Sequence, residues 1–210
     1  MSSSFTTDCK DCPRLAEFIA TQKEKFPDYY CKPVAAFGDP KAQFLIVGLA
    51  PGLHGANATG RPFTGDHAGI LLYQTLHQFG FSSHAASVAS DDDLSLINTR
   101  ITNAVKCVPP QNKPTPAEIK TCNRYLQQEL NDFVDGGIVL ALGRIAHEAV
   151  IRALGLRQKD YPFAHAAEHQ LPQFQLLDSY HCSRYNTQTK RLTSEQFAAV
   201  FATIKIKLNA

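Results

Sequence analysis

Residues 44–66 read FLIVGLAPGLHGANATGRPFTGD, a short apolar run that empties into a glycine-rich loop. The run Phe44 to Val47 is brief and built of Phe, Leu, Ile and Val, which reads as a buried strand. Ile101 to Val105, Ile138 to Leu142 and Phe174 to Leu177 have the same character. Helical patterns fall between and around them, over Pro13 to Lys25, Ile70 to Phe79, Ile145 to Leu154 and Thr193 to Leu208. Thr115, Pro116 and Glu118 supply a cap, a first-position proline and a first-turn acid, opening a further helix to about Phe133. Strands alternating with helices imply an α/β fold: a three-layer α/β/α domain around a central, mostly parallel four-stranded sheet. Ligands of such sheets bind beyond the carboxyl ends of the strands, which directs attention to the loops after Val47, Val105, Leu142 and Leu177.

The chain has 210 residues, 44% hydrophobic and 19% charged, which suits one globular domain spanning residues 1–210. No internal repeat or linker divides it. Ser82 to Asp93 is polar and small, and reads as an exposed loop without chemistry. The apolar runs are too short to span a bilayer, so no membrane partner is expected. Met1 to Lys10 is polar and unlike a signal peptide, so a cytoplasmic protein is expected. A net charge of +2 decides little about partners. Basic residues gather at Arg184, Lys190 and Arg191, and again at Lys106 and Lys113; taken alone they read as solvated charge.

Six cysteines in such a chain argue for metal or catalysis rather than disulfides. Cys9 and Cys12 form a CxxC pair, and Cys107 and Cys122 lie far downstream. Four thiolates can hold a [4Fe–4S] cluster or a structural zinc. Zinc sites usually show two close pairs, and the wide second spacing favours iron–sulfur, with zinc the alternative. Cys31 reads as a buried apolar thiol.

The loop from Gly48 to Asp66 contains neither GxGxxG nor a lysine-bearing phosphate loop. It resembles the first motif of the uracil-DNA glycosylase superfamily, with the tetrad Gly60-Arg61-Pro62-Phe63 of its families 4 and 5. Asn103-Ala104-Val105-Lys106-Cys107, with Pro109-Pro110 and Lys113 to Pro116, resembles the second signature. His181-Cys182-Ser183-Arg184-Tyr185-Asn186-Thr187 resembles the closing motif, with Cys182 where proline is usual. Leu49 stands where family 4 carries an acid, and Asp66 follows the tetrad, as in family 5. The resemblance runs from Cys9 to about Thr193, and it implies that Cys9, Cys12, Cys107 and Cys122 hold an iron–sulfur cluster, the first two from an amino-terminal arm.

Such an enzyme flips a damaged base out of DNA, double- or single-stranded, and hydrolyses its N-glycosidic bond in base excision repair. By resemblance, Phe63 stacks on the base, Asn103 reads its edge and His181 donates a hydrogen bond to a base oxygen. Gly48, Ala50, Gly52 and His54 complete the base-binding loop, and Asn57 lines it or touches a phosphate. Asp66 either activates the water or caps the helix that follows; both roles stay open. Arg61, Arg184, Lys190 and Arg191 suit DNA phosphates, and Tyr185 suits a plug for the gap left by the base. The family further implies acceptance of hypoxanthine beside uracil, a monomer, and a nucleoid-associated protein of a prokaryote. Two other readings compete: a metal-stabilised DNA-binding module without activity, and an N-glycosidic hydrolase of free nucleosides or nucleotides.

Overall fold

The computed structural model describes residues 5–209. Seven helices and six strands follow one another along them. They are α1 (Pro13–Lys25), β1 (Phe37–Gly38), β2 (Phe44–Gly48), α2 (Ala56–Thr59), α3 (His67–Gln78), β3 (Thr99–Asn103) and α4 (Pro116–Asn131). Then come β4 (Ile138–Leu142), α5 (Arg144–Ala153), β5 (Glu168–Gln170), β6 (Gln175–Ser179), α6 (Arg184–Gln188) and α7 (Ser194–Leu208).

The sheet order is β1-β3-β2-β4-β6-β5. Its four central strands run parallel, as the sequence pattern predicts. The expected count of four is corrected to six, because β1 and β5 add antiparallel edges. Neither edge carries an apolar run: β5 is Glu-His-Gln, the polar composition that protects a sheet edge from further pairing. The third strand also starts and stops two residues earlier than its apolar run. Val105 leaves the sheet to pack with Leu15, Ile19 and Tyr125 in a separate apolar cluster.

Every residue of β2 and of β4 is buried, as strands covered on both faces must be. Phe44 and Ile46 face one core with Leu72 and Leu76 of α3 and Phe197 and Phe201 of α7. Leu45 and Val47 face the other, with Leu126 and Leu130 of α4 and Val150 of α5. The alternation of one short strand thus feeds both outer helix layers. Capping boxes begin α4 (Thr115 with Glu118) and α7 (Thr193 with Gln196), each satisfying amides that the first turn leaves free.

Register brings Gly48 opposite Asn103, Val47 opposite Ala141, and Leu142 opposite Ser179. The strands therefore end together, and the loops beyond them converge.

Candidate active site

A cavity of about 660 Å³ opens beyond these strand ends. Leu49, Ala50, Gly52, Phe63, Asp66, Asn103 and His181 line it, joining residues from three widely separated stretches of sequence.

Gly48 makes the arrangement possible. A Cβ on it would lie 2.4 Å from Asn103 Oδ1 and 2.7 Å from the tip of the Phe63 ring. No side chain fits between those two groups. Phe63 holds a left-handed backbone, φ 58°, uncommon for a bulky residue and the kind of strain found at ligand sites. Gly69, in the first turn of α3, lets the Phe63 carbonyl come close; a Cβ there would lie 1.8 Å from that oxygen. The Phe63 ring faces the His181 imidazole at 6.0 Å, with 26° between the planes.

Asn103 is 3% exposed, and its Oδ1 has no hydrogen-bond partner. An orphaned buried acceptor costs about 1–3 kcal/mol, so its presence on a cavity wall points to a donor arriving with a ligand. Burial holds the His181 imidazole down at about 4, which leaves it neutral near pH 7 and able to donate one N–H. The Asn186 amide, donating to the His181 carbonyl at 2.8 Å, fixes the backbone there.

Asp66 combines two features the sequence kept apart. Its Oδ1 accepts from the Gly69 N–H at 2.9 Å, which caps α3. The same carboxyl lines the cavity. Burial raises it above the ordinary carboxylate range, against the opposing pull of the Gly69 and Ala68 amides.

The rim is basic. Arg184 and Arg191 border the cavity, and Arg191 lies over the Tyr180 ring at 4.5 Å. Lys190 is exposed beside them, in a left-handed turn at φ 56°. Arg144 joins them from the start of α5, 5.5 Å over the Phe163 ring. The sequence reading missed Arg144, Phe163 and Tyr180. The usable signal was their position just after or well beyond the strand ends, since no motif marks them. Tyr185 is 71% exposed on α6 next to this rim.

Three expected site residues lie elsewhere. His54 is exposed, with Nδ1 on the Tyr29 hydroxyl at 3.0 Å and its ring edge-on to Phe26. Its loop turns it away from the cavity towards the end of α1. Arg61 is 6% exposed and is no phosphate ligand: it binds Asp92 at 2.5 Å, the Ser90 carbonyl and the Ser87 hydroxyl, and lies over Phe37. The stretch Ser82 to Asp93 consequently does have a task, which is to satisfy that buried guanidinium. Asn57 is fully buried and donates to the Leu53 carbonyl and the Cys31 sulfur. Lys106 likewise leaves the solvated set, since it is 1% exposed and paired with Glu129 at 2.8 Å. Cys182 is 0% exposed and reaches the Ala68 carbonyl at 3.4 Å; where proline would offer no donor, its thiol fills the core under α3.

Cys9, Cys12, Cys107 and Cys122 border one small apolar cavity with Phe5, Leu15 and Val105. Four thiol sulfurs around one cavity form a donor set that suits an iron–sulfur cluster or a structural zinc. Burial and the neighbouring Cys122, Glu118, Cys9 and Asp11 push the Cys12 thiol up to about 11. The Lys106 amide donates to Cys122 Sγ at 3.3 Å, as backbone amides do around cluster sulfurs. A bidentate pair between Arg14 and Glu118, both bonds 2.7 Å, clamps α1 to α4 beside them.

Fold and site together define an α/β/α protein with a cavity beyond its sheet, walled by Phe63, Asn103 and His181 under a basic rim. The family model of the uracil DNA glycosylase superfamily matches residues 35–205. The Type-5 uracil-DNA glycosylase of Thermus thermophilus is 48% identical over 205 residues, 95% of this chain and 93% of the relative. That of Pyrobaculum aerophilum is 39% identical over 197 residues, 92% and 86% of the two chains. A Type-4 uracil-DNA glycosylase of Sulfurisphaera tokodaii is 28% identical over 195 residues, covering 88% and 80%. The chain belongs to the uracil DNA glycosylase superfamily, and its similarity to the type-5 members agrees with Leu49 in place of an acid.

Proposed function

We propose that this chain excises uracil from DNA by hydrolysing the N-glycosidic bond, working as a monomeric single domain. The observation that carries the reading is the orphaned Asn103 Oδ1 in a cavity walled by Phe63 and a neutral His181. Uracil supplies an N–H for that acceptor and carbonyl oxygens for donors. Stacking on Phe63 is worth about 1–3 kcal/mol and offsets part of the cost of unstacking the base.

As the bond from the sugar C1′ to the base nitrogen breaks, the electron pair goes to the base, and its oxygens gain negative charge. The His181 N–H is aimed at that charge and stabilises it without prior reorganisation. Water adds to C1′ from the other side and gives a proton to Asp66, while the base takes up a proton after leaving. A raised carboxyl suits this work, being a stronger base than an ordinary aspartate. Capping and water activation are compatible, because only Oδ1 is engaged by Gly69. Gly48, Ala50 and Gly52 shape the loop around the base, with backbone amides near it. Arg184, Lys190 and Arg191 hold phosphates, and Tyr185 fills the vacated space in the duplex.

The four cysteines, which border one cavity, are read as holding a [4Fe–4S] cluster rather than zinc, because Cys107 and Cys122 are too far apart in sequence for the second close pair of a usual zinc site. Bound there, the group would tie the amino-terminal arm to α4 and the loop after β3, and it supplies no step of the hydrolysis. No described helix is long and apolar enough to cross a membrane, and a nucleoid-associated location in a prokaryotic cytoplasm accords with a DNA substrate.

The deciding experiment is single-turnover excision on oligonucleotides carrying uracil, hypoxanthine, xanthine or thymine opposite each base, with free deoxyuridine in parallel. Release of uracil is expected, and of hypoxanthine more slowly. Release from deoxyuridine alone would mean a nucleoside hydrolase, and DNA binding without any release would mean a non-catalytic module.

A further inference from the structure

On the sheet face covered by α5, behind the cavity-lining Phe163, His147, His169 and Asp178 form a cluster that the proposed hydrolysis does not use. Their ligand atoms all lie within 4.8 Å of one another. His147 is 1% exposed and Asp178 is 0% exposed. The two carboxylate oxygens are divided between the rings, Oδ1 lying 2.8 Å from His147 Nδ1 and Oδ2 3.2 Å from His169 Nε2.

The other nitrogen of His147 decides what this geometry means. Nε2 lies 2.8 Å from the Tyr161 carbonyl, which can only accept, so Nε2 carries a proton. In the neutral ring Nδ1 is then a lone pair facing a carboxylate oxygen. A positive centre has to stand between them, either a second proton or a cation. An imidazole that donates one N–H to a backbone carbonyl and presents its other nitrogen to a carboxylate has the orientation of a metal ligand.

We infer that His147 Nδ1, His169 Nε2 and an Asp178 oxygen form a binding site for one divalent transition-metal cation of the zinc type. Two imidazoles and a carboxylate suit such ions, and water from the sheet edge completes the fourth position. Zinc–nitrogen bonds of about 2.0–2.1 Å put tetrahedral ligand atoms about 3.3 Å apart, so the His147 Nδ1–Asp178 Oδ1 pair at 2.8 Å must open slightly as the His169 ring turns in. His169 can supply that movement, because it sits on the three-residue edge strand β5 and is 11% exposed. The same exposure gives the ion its entrance. The ion would tie α5 to β5 and β6 through side chains that already meet.

The test uses the full chain with its iron loaded, dialysed against zinc and analysed for metal content. One zinc per chain is expected in the wild type and none in His169→Gln, with iron content and uracil excision unchanged. Cadmium-113 NMR of the loaded wild type requires no variant and should give a resonance in the nitrogen–oxygen range. No zinc in the wild type, full uptake by His169→Gln, or a thiolate-range resonance alone would overturn the proposal and leave a proton-bridged network.

Discussion

Gly48 and Asn103 end adjacent parallel strands in direct register, and a Cβ on the glycine would lie 2.4 Å from the asparagine's unpartnered oxygen. The Asn103 side chain on the cavity wall thus has its room because its neighbour carries no side chain.

Gly48→Ala should therefore push Asn103 and Phe63 apart. Overpacking of this kind costs about 1–3 kcal/mol. Uracil excision should fall by more than that loss of stability explains, at least about tenfold if one transition-state interaction of about 1.4 kcal/mol is displaced. Denaturant midpoints with single-turnover rates on the same samples separate the two effects.

His181→Ala removes one donor from the developing charge, and the single-turnover rate should drop about 10²–10³-fold without vanishing. The pH behaviour has a definite sign. Folding depresses this histidine from 6.5 to about 4, so the unfolded chain binds the proton more readily. Stability is unaffected above pH 6.5 and falls as pH drops from there towards 4, by up to about 3 kcal/mol. His181→Gln should remove that loss, which urea titrations at several pH values would register. Excision itself should show no inflection near pH 6.5.

Asp66→Asn keeps a good helix cap and deletes the carboxylate. Excision should fall about 10²–10⁴-fold. Burial raises this acid, so its charged form is disfavoured by folding; the contribution present at low pH is lost as pH rises through the folded value. The asparagine variant should therefore be as stable as wild type near pH 7, or more so. A wild-type rate in that variant, read by single turnover, would leave Asp66 with capping alone.

Arg61→Ala should destabilise the fold by about 3 kcal/mol, since it leaves Asp92 without its partner. The salt dependence of DNA binding should not change. Alanine at Arg184 or Arg191 should do the opposite: stability is kept, and the slope of log K against log salt drops by about 1 for each phosphate contact. Titrations at several salt concentrations distinguish the two groups of arginines.

Cys122→Ser should abolish iron incorporation and lower the melting temperature, because the arm loses its tie to α4 and the Arg14–Glu118 pair is left to join α1 to that helix. Iron analysis and thermal unfolding of the anaerobically purified variant give both readouts.

Much of the molecule could be read before any coordinates. The Phe44 to Val47 and Ile138 to Leu142 runs are strands because both faces of each are buried, and continuous apolarity is the mark of that situation. Thr115 and Thr193 announce their helices because a cap is a local bond between residues three apart. The edge strands went unread, since Glu168 to Gln170 pairs through its backbone and presents polar side chains to solvent.

The site divides in the same way. Residue type and order were enough for the family and for singling out Phe63, Asn103 and His181, which the structure brings to one cavity, because each belongs to a contiguous motif. Direction was not legible. Arg61 and Arg184 are equally basic in the sequence, yet one is buried against Asp92 and the other stands at the rim. His54 and Asp66 share one loop, but only Asp66 meets the cavity. Arg144 and Tyr180 arrive there because parallel strands β4 and β6 end level, and Phe163 comes in from the connection before β5. Local chemistry is written in the order of residues; which way a side chain faces depends on packing between segments far apart in the chain, and that is settled only when the sheet forms.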